Sequence, residues 1–304
     1  MAETFPANKN SFLSAVETLA VQNIKAVRNS NKIEDAFYEY PVENGMVIEE
    51  ALIKMADGKS FVPVAEGANP DLSPIDPKVA VRYFNEWEAL QFKTTKRYDE
   101  IRKILTAGMS AEEVASAIDS TLTEGEGYVD YGKMRKIIED EAVARDCSTD
   151  IFGGKHPSNM KGVVAAIRIM FNHIKATNTD GNVPYAYGAD VDGIRLAISD
   201  KALAYLDIVE LANIFNVSKE ELLGRLVVLP VDESYDGSKV LVYDVKHLGR
   251  GTRVFDYAQQ DLPTNRYVLS TLNTERCYFA NDLFKALGLD ISAALTAAEG
   301  TLFA

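Results

Sequence analysis

Apolar residues near the start of the chain recur at Phe12, Val16, Leu19, Ala20, Ile24 and Val27. This spacing predicts an amphipathic helix over residues 11–30, with Ser11 available as its cap. The period then changes to two. An Asn-Gly turn signal opens residues 44–55, where Val47, Ala51, Ile53 and Met55 share a side and predict a strand. Residues 61–77 hold four of the ten prolines, which cannot donate ladder hydrogen bonds, so an irregular loop is expected there. Strand chemistry resumes with Val79, Val81, Tyr83 and Trp87 on one side and Arg82, Glu86 and Glu88 on the other.

From Ser110 the spacing is helical again. Ser110 and Glu113 form a capping box, followed by Val114, Ile118 and Leu122 and then, after Gly125 and Gly127, by Tyr131, Met134, Ile138 and Ala142. The pattern predicts one long kinked helix or two in line, ending near Asp146. A glycine-containing break at 152–162 reads as a hinge dividing two regions. Residues 161–176 predict a further helix, 179–193 a loop, and 193–206 a short strand with a turn. Residues 202–230 read as two short helices running into a buried strand that begins at Leu226. Three strand-like runs rich in β-branched and aromatic residues fill 239–280, and the last 23 residues look weakly helical. No internal repeat is present.

Composition narrows the function classes. The chain has 304 residues, 47% hydrophobic and 25% charged, enough for one large or two ordinary globular domains. A net charge of −13 argues against a protein devoted to gripping phosphates. Cys147 and Cys277 lie far apart in a chain without a secretory apolar segment, which points to two ordinary buried thiols and an intracellular origin. The apolar runs are too short to cross a membrane.

Candidate chemistry is sparse. The Gly-Gly-Lys-His at 153–156 lacks the first glycine and the following Ser/Thr of a phosphate loop. The Asp/Gly turns near 180 and 190 lack the ligand series of a calcium loop. His156, His173 and His247 stand apart from other ligands at metal spacing; His173 reads as a half-buried packing residue, and the acidic run at 137–141 reads as a solvated helix face. No catalytic, cofactor or metal residues are therefore assigned. Residues 209–226 have the cadence of a helix-turn-helix, but Lys219 and Arg225 stand against Glu210, Glu220 and Glu221, a net of −1. The two glutamates in the first turn of its second helix suit capping after Ser218 far better than contact with phosphate.

The excursion at 44–94 carries the positive argument. An isolated two-stranded hairpin is marginal in water, and this one offers Val79, Val81, Tyr83, Phe84 and Trp87. It either packs on its own body or lies across a neighbouring subunit, and its proline-rich tip suits the second, which makes these five residues candidate intersubunit contacts.

The order of parts, together with the stretches 45–55, 82–105, 112–142, 206–230 and 239–281, resembles the major capsid proteins of tailed bacteriophages, the Johnson fold, and is closest to those of small podophages of Gram-positive hosts. The resemblance implies an α+β fold divided as an N-terminal arm and helix (1–43), an extended β-hairpin loop (44–94), a peripheral domain with a long helix (95–159), an axial domain (160–238), and peripheral strands with a C-terminal tail (239–304). It implies a non-enzymatic virion protein, made in the host cytoplasm, that assembles with itself through hexamer and pentamer rings into an icosahedral or prolate shell. Scaffolding, portal and decoration proteins and packaged double-stranded DNA, bound without sequence specificity, are the implied partners, with no membrane and no cofactor. The alternatives are an encapsulin-type nanocompartment shell and a helix-turn-helix DNA-binding protein.

Overall fold

The computed structural model describes residues 32–42, 47–53, 79–100, 103, 111–176, 189–206, 211, 214, 224–233, 235–262 and 264–302. The expected helix at 11–30, the proline-rich loop, the Ser110 cap, the loop through 177–188 and most of the paired-helix stretch at 207–223 lie outside the described residues.

A 3-10 turn at Lys32–Ala36 leads to β1 (Tyr38–Glu39), then β2 (Ile48–Ile53), β3 (Val79–Phe84) and β4 (Glu88–Arg97). The helices α1 (Ala111–Ala144), α2 (Ser148–Phe152) and α3 (Met160–Lys175) follow. Next come β5 (Ile194–Ser199), α4 (Asp200–Tyr205), β6 (Leu226–Leu229) and β7 (Lys239–Asp244). The chain continues through β8 (Leu248–Leu262), β9 (Tyr267–Ala280) and β10 (Ala286–Asp290) to α5 (Ser292–Leu302). One four-stranded sheet has the order β1-β8-β9-β4 and the other β10-β7-β5-β6, while β2 and β3 pair only with each other.

The expected domain borders meet this topology unevenly. Position 94 falls inside β4, and β7, beyond the border at 238, shares a sheet with β5 and β6.

Both faces of the second sheet are covered, which is why β5 and β7 read as continuous apolar runs. On one face Ala197, Val227, Leu241 and Tyr243 meet Met134, Ile138 and Ala142 of α1. On the other, Leu196, Ile198, Val240 and Val242 meet Val163, Ile167, Met170 and Ile174 of α3 and Ala294 and Leu295 of α5. Farther along α1, Leu122 packs with Leu272, Phe92 and Tyr257 of the first sheet. One helix thus spans both sheets.

Helix α1 is continuous over 34 residues, with Gly125, Gly127 and Gly132 inside it. Each interior glycine costs about 1 kcal/mol relative to alanine. Burial of Met134, Ile138 and Leu122 and the ion pairs of Glu126 and Asp130 with the buried Arg276 of β9 outweigh that cost. The expected turn after β5 is instead α4, capped by Ser199, whose Oγ accepts from the Ala202 amide at 3.1 Å. The C-terminal region, expected to be weakly helical throughout, contains β10. Its strand signature is weakened by Gly288, whose missing Cβ allows the Ala142 carbonyl to come close. There the Gly288 amide donates to Arg145 O at 2.7 Å and its carbonyl accepts from the Cys147 amide at 3.0 Å, which ties the end of α1 to the sheet. At the expected hinge, Gly153 ends α2 in the left-handed conformation, with φ of 61°.

Candidate assembly surface

The hairpin β2–β3 is set out by register and alternation. Glu49 lies opposite Tyr83, Ala51 opposite Val81 and Ile53 opposite Val79, so these pairs occupy one side, while Ile48 with Phe84 and Glu50 with Arg82 occupy the other. The sequence reading put the apolar side with Val47 and Ala51. The body instead takes Ile48, which is 4% exposed, and leaves Val47 42% exposed. The reason lies in β8, where Gly249 and Gly251 alternate along the strand. A Cβ at Gly251 would stand 2.5 Å from Ile48 Cδ1, and one at Gly249 would meet the Phe279 ring and come within 2.8 Å of Tyr40. These two absent side chains form the notch that receives the root of the hairpin.

Phe84 stacks on Phe279 with ring centroids 3.8 Å apart and 14° between planes, and Tyr40 tilts against the same ring at 5.2 Å. Trp87 joins this cluster half-buried, with the Arg253 guanidinium 5.0 Å from its ring centre. Arg253 is aimed there by a bulge in β8 between Thr252 and Val254, and its Nε donates to Glu275 at 2.9 Å. Beside the aromatic root, Arg82 donates from Nε and Nη2 to the two carboxylate oxygens of Asp282 at 2.6 and 2.8 Å. That fork holds the Asp282 carboxyl below the usual carboxylate range. Phe84 and Trp87 therefore spend their apolar surface on their own chain. Tyr83, by contrast, is 65% exposed, and Val81 on the same side is half-buried.

Beneath the hairpin root, the C-terminal end of α1 is fastened by His247, which is fully buried. Its Nε2 lies 2.8 Å from Glu141 Oε2 and its Nδ1 2.9 Å from Asn281 O. Burial works to raise the Glu141 pKa, but hydrogen bonds from His247 and Arg145 outweigh it and lower it. The acidic run at 137–141 is accordingly not the solvated face expected: Glu139 and Glu141 hold Arg135, Arg145 and His247, leaving Asp140 to solvent. His173, expected to be half-buried, is exposed. Both cysteines are free and buried, and burial raises both thiols, Cys147 to about 11. Among the described residues no group of three His, Cys, Asp or Glu side chains could hold a metal ion. No described helix is long and apolar enough to cross a membrane.

Sequence reasoning did not identify Arg82, Asp282 and the glycine notch. The one signal present was Gly-Arg-Gly at 249–251 inside a strand-like run, where a glycine marks close approach.

Residues 1–285 of the chain match the family described as Phi29-like phage major capsid protein. No curated protein matches it. Among solved structures, the capsid of Staphylococcus phage Andhra is similar with a TM-score of 0.59 at 10% identity, over 84% of this chain and 83% of that one. A chain from the structure of the head fibre and inner core protein gp22 of native bacteriophage P68 gives 0.58 at 11% identity, over 86% and 85%. The mature capsid asymmetric unit of bacteriophage PhiM1 gives 0.52 at 11% identity, over 86% of each chain. At such identities these likenesses speak for the fold alone.

Proposed function

Because the chain belongs to the Phi29-like phage major capsid protein family, we propose that it builds its shell through the hairpin β2–β3, which reaches over a neighbouring copy in an icosahedral or prolate head that encloses double-stranded DNA. It is a structural shell protein, and its work is assembly rather than catalysis. The observation that carries the hairpin's role is its two-sided chemistry. One side is anchored by Ile48, Phe84 and the Arg82–Asp282 fork, while on the other Tyr83 is 65% exposed with Val81 half-buried beside it. A hairpin of two strands is marginal by itself, so an uncovered aromatic on a rigidly rooted hairpin fits contact with another subunit.

In this reading Tyr83, Val81 and Val79 are the contacts, and Phe84 and Trp87 fix the angle at which they are offered. Residues 44–94 act as the extended loop, the long helix and first sheet as the periphery of each capsomer subunit, and the second sheet as its axial part. Many weak contacts summed over a closed lattice supply the stability of the shell. The particle is a virion component made in the host cytoplasm, with scaffolding, portal and decoration proteins as further partners.

Negative-stain electron microscopy of the purified full-length protein tests this. Shells, rings or tubes of uniform curvature are expected, and Tyr83→Asp should abolish them while leaving a soluble folded subunit. A monodisperse monomer across salt, pH and crowding conditions refutes the shell reading, and wild-type assembly by Tyr83→Asp refutes the hairpin's part in it.

A further inference from the structure

Helix α3 shows solvent a basic stripe, although the chain carries a net charge of −13. Its buried side carries Val163, Ile167, Met170 and Ile174. Opposite them Lys161, Ala165, Arg168, Asn172 and Lys175, spaced alternately by four and three residues, are all exposed and so lie along one face. The three cations stand about 10 Å apart, given a rise of about 1.5 Å per residue. The helix MKGVVAAIRIMFNHIK contains no acidic residue at all.

Two observations bear on what this stripe can bind. Several cations elsewhere are held by carboxylates of the same chain: Arg82 by Asp282, Arg135 by Asp232, Arg225 by Asp192, Lys239 by Asp290, Arg276 by Asp130. Lys161, Arg168 and Lys175 have no such partner among the described residues. Nor does the helix itself account for them. Lys175 in the last turn is favoured by the helix dipole, but Lys161 in the first turn opposes it, and Arg168 lies in the middle where the dipole does not act. Between them the side chains are the small Ala165 and the neutral Asn172, which leave nothing to repel an anion. A ligand carrying spaced negative charge would complement all three.

We infer that this face of α3 binds the phosphate backbone of nucleic acid, without reading its sequence; the inference rests on the proposed role as a shell around DNA. Since α3 covers the side of the second sheet opposite α1, that side would be the one turned toward the genome. Three phosphate contacts per subunit make a weak, salt-sensitive interaction, which an array of copies multiplies. The acidic groups elsewhere act over little more than a Debye length, about 10 Å at 0.1 M salt, so a locally basic stripe can bind despite a net charge of −13.

The test is fluorescence anisotropy with the full-length protein and a mixed-sequence DNA duplex of about 30 base pairs. Three neutralised phosphates predict a slope of log affinity against log salt of about −2.7, roughly a 40-fold loss between 50 and 200 mM NaCl. The variant Lys161→Gln/Arg168→Gln/Lys175→Gln should bind at least about tenfold more weakly at 50 mM, with a slope near zero. Lys93→Gln/Lys96→Gln/Arg97→Gln on β4, which removes the same charge, should keep the wild-type slope. The inference is overturned by undetectable wild-type binding at 50 mM, by unchanged binding of the α3 variant, or by equal losses in both variants, which would make net charge the cause. If the α3 variant keeps its DNA affinity but forms no shells in the electron microscope, the stripe is a contact between copies and only this inference falls. Failure of the wild type to form shells would count against the shell reading and is seen independently of the titration.

Discussion

Tyr83 and Phe84 are neighbours in β3 that point to opposite sides of the hairpin, so substituting each separates its two proposed tasks. Phe84→Ala removes a half-buried ring stacked at 3.8 Å on Phe279. Full burial would put the loss at about 3–5 kcal/mol, and an aromatic pair adds about 0.5–1.5 kcal/mol. Half burial brings the expected cost to roughly 2 kcal/mol. With an unfolding entropy of about 2.1 cal/mol/K per residue, a chain of 304 residues unfolding as a unit should lose about 3 °C in Tm. Tyr83→Asp removes a ring that is 65% exposed but sets a carboxylate opposite Glu49, so stability should fall by no more than about 1 kcal/mol. Scanning calorimetry of unassembled subunits, paired with light scattering and electron microscopy of assembly reactions, reads both quantities. The expected pattern is a Tm lowered by about 3 °C for Phe84→Ala, and for Tyr83→Asp a blocked assembly with at most about half that loss. If Tyr83→Asp lowers Tm as much as Phe84→Ala, the outward side is core and the reasoning fails.

Glycine substitutions should have opposite signs at two positions. Gly132→Ala, in the interior of α1 with open space where the Cβ would go, should raise stability by about 1 kcal/mol by calorimetry, whereas Gly249→Ala drives a Cβ into the Phe279 ring and should cost about 1–3 kcal/mol. The carboxyl of Asp290 is raised by burial but lowered further by hydrogen bonds from Lys239 and Ser292, ending at about 2. A depressed folded-state pKa gives stability present above the ordinary carboxylate pKa and lost as pH falls toward 2. Asp290→Asn should therefore melt below wild type at pH 7, and the gap should close between about pH 4 and pH 2 in a Tm-against-pH series.

The elements whose apolar spacing is unbroken were legible: α3, β5 through β7, and the long alternation of β9. The parts misjudged or left open share one cause. Continuity of α1 through three glycines, the strand β10 around Gly288, and the buried role of Glu141 each depend on a partner more than 40 residues away, and local spacing carries no information about that partner.

What the sequence by itself determined was the class of the molecule: a large α+β body, an acidic surface, no assembled catalytic signature, and an excursion too apolar to be left alone. Periodicity and charge suffice for that because they are properties of each segment taken singly. Only the tertiary structure decided which side of the excursion is anchor and which is left exposed. A strand presents two faces of comparable apolar content, and the choice between them was made by a two-glycine notch in β8 and a carboxylate at Asp282, both some 200 residues downstream of the hairpin. Steric fit and ion pairing at that separation are set by how the chain packs, so they exist only once it has folded.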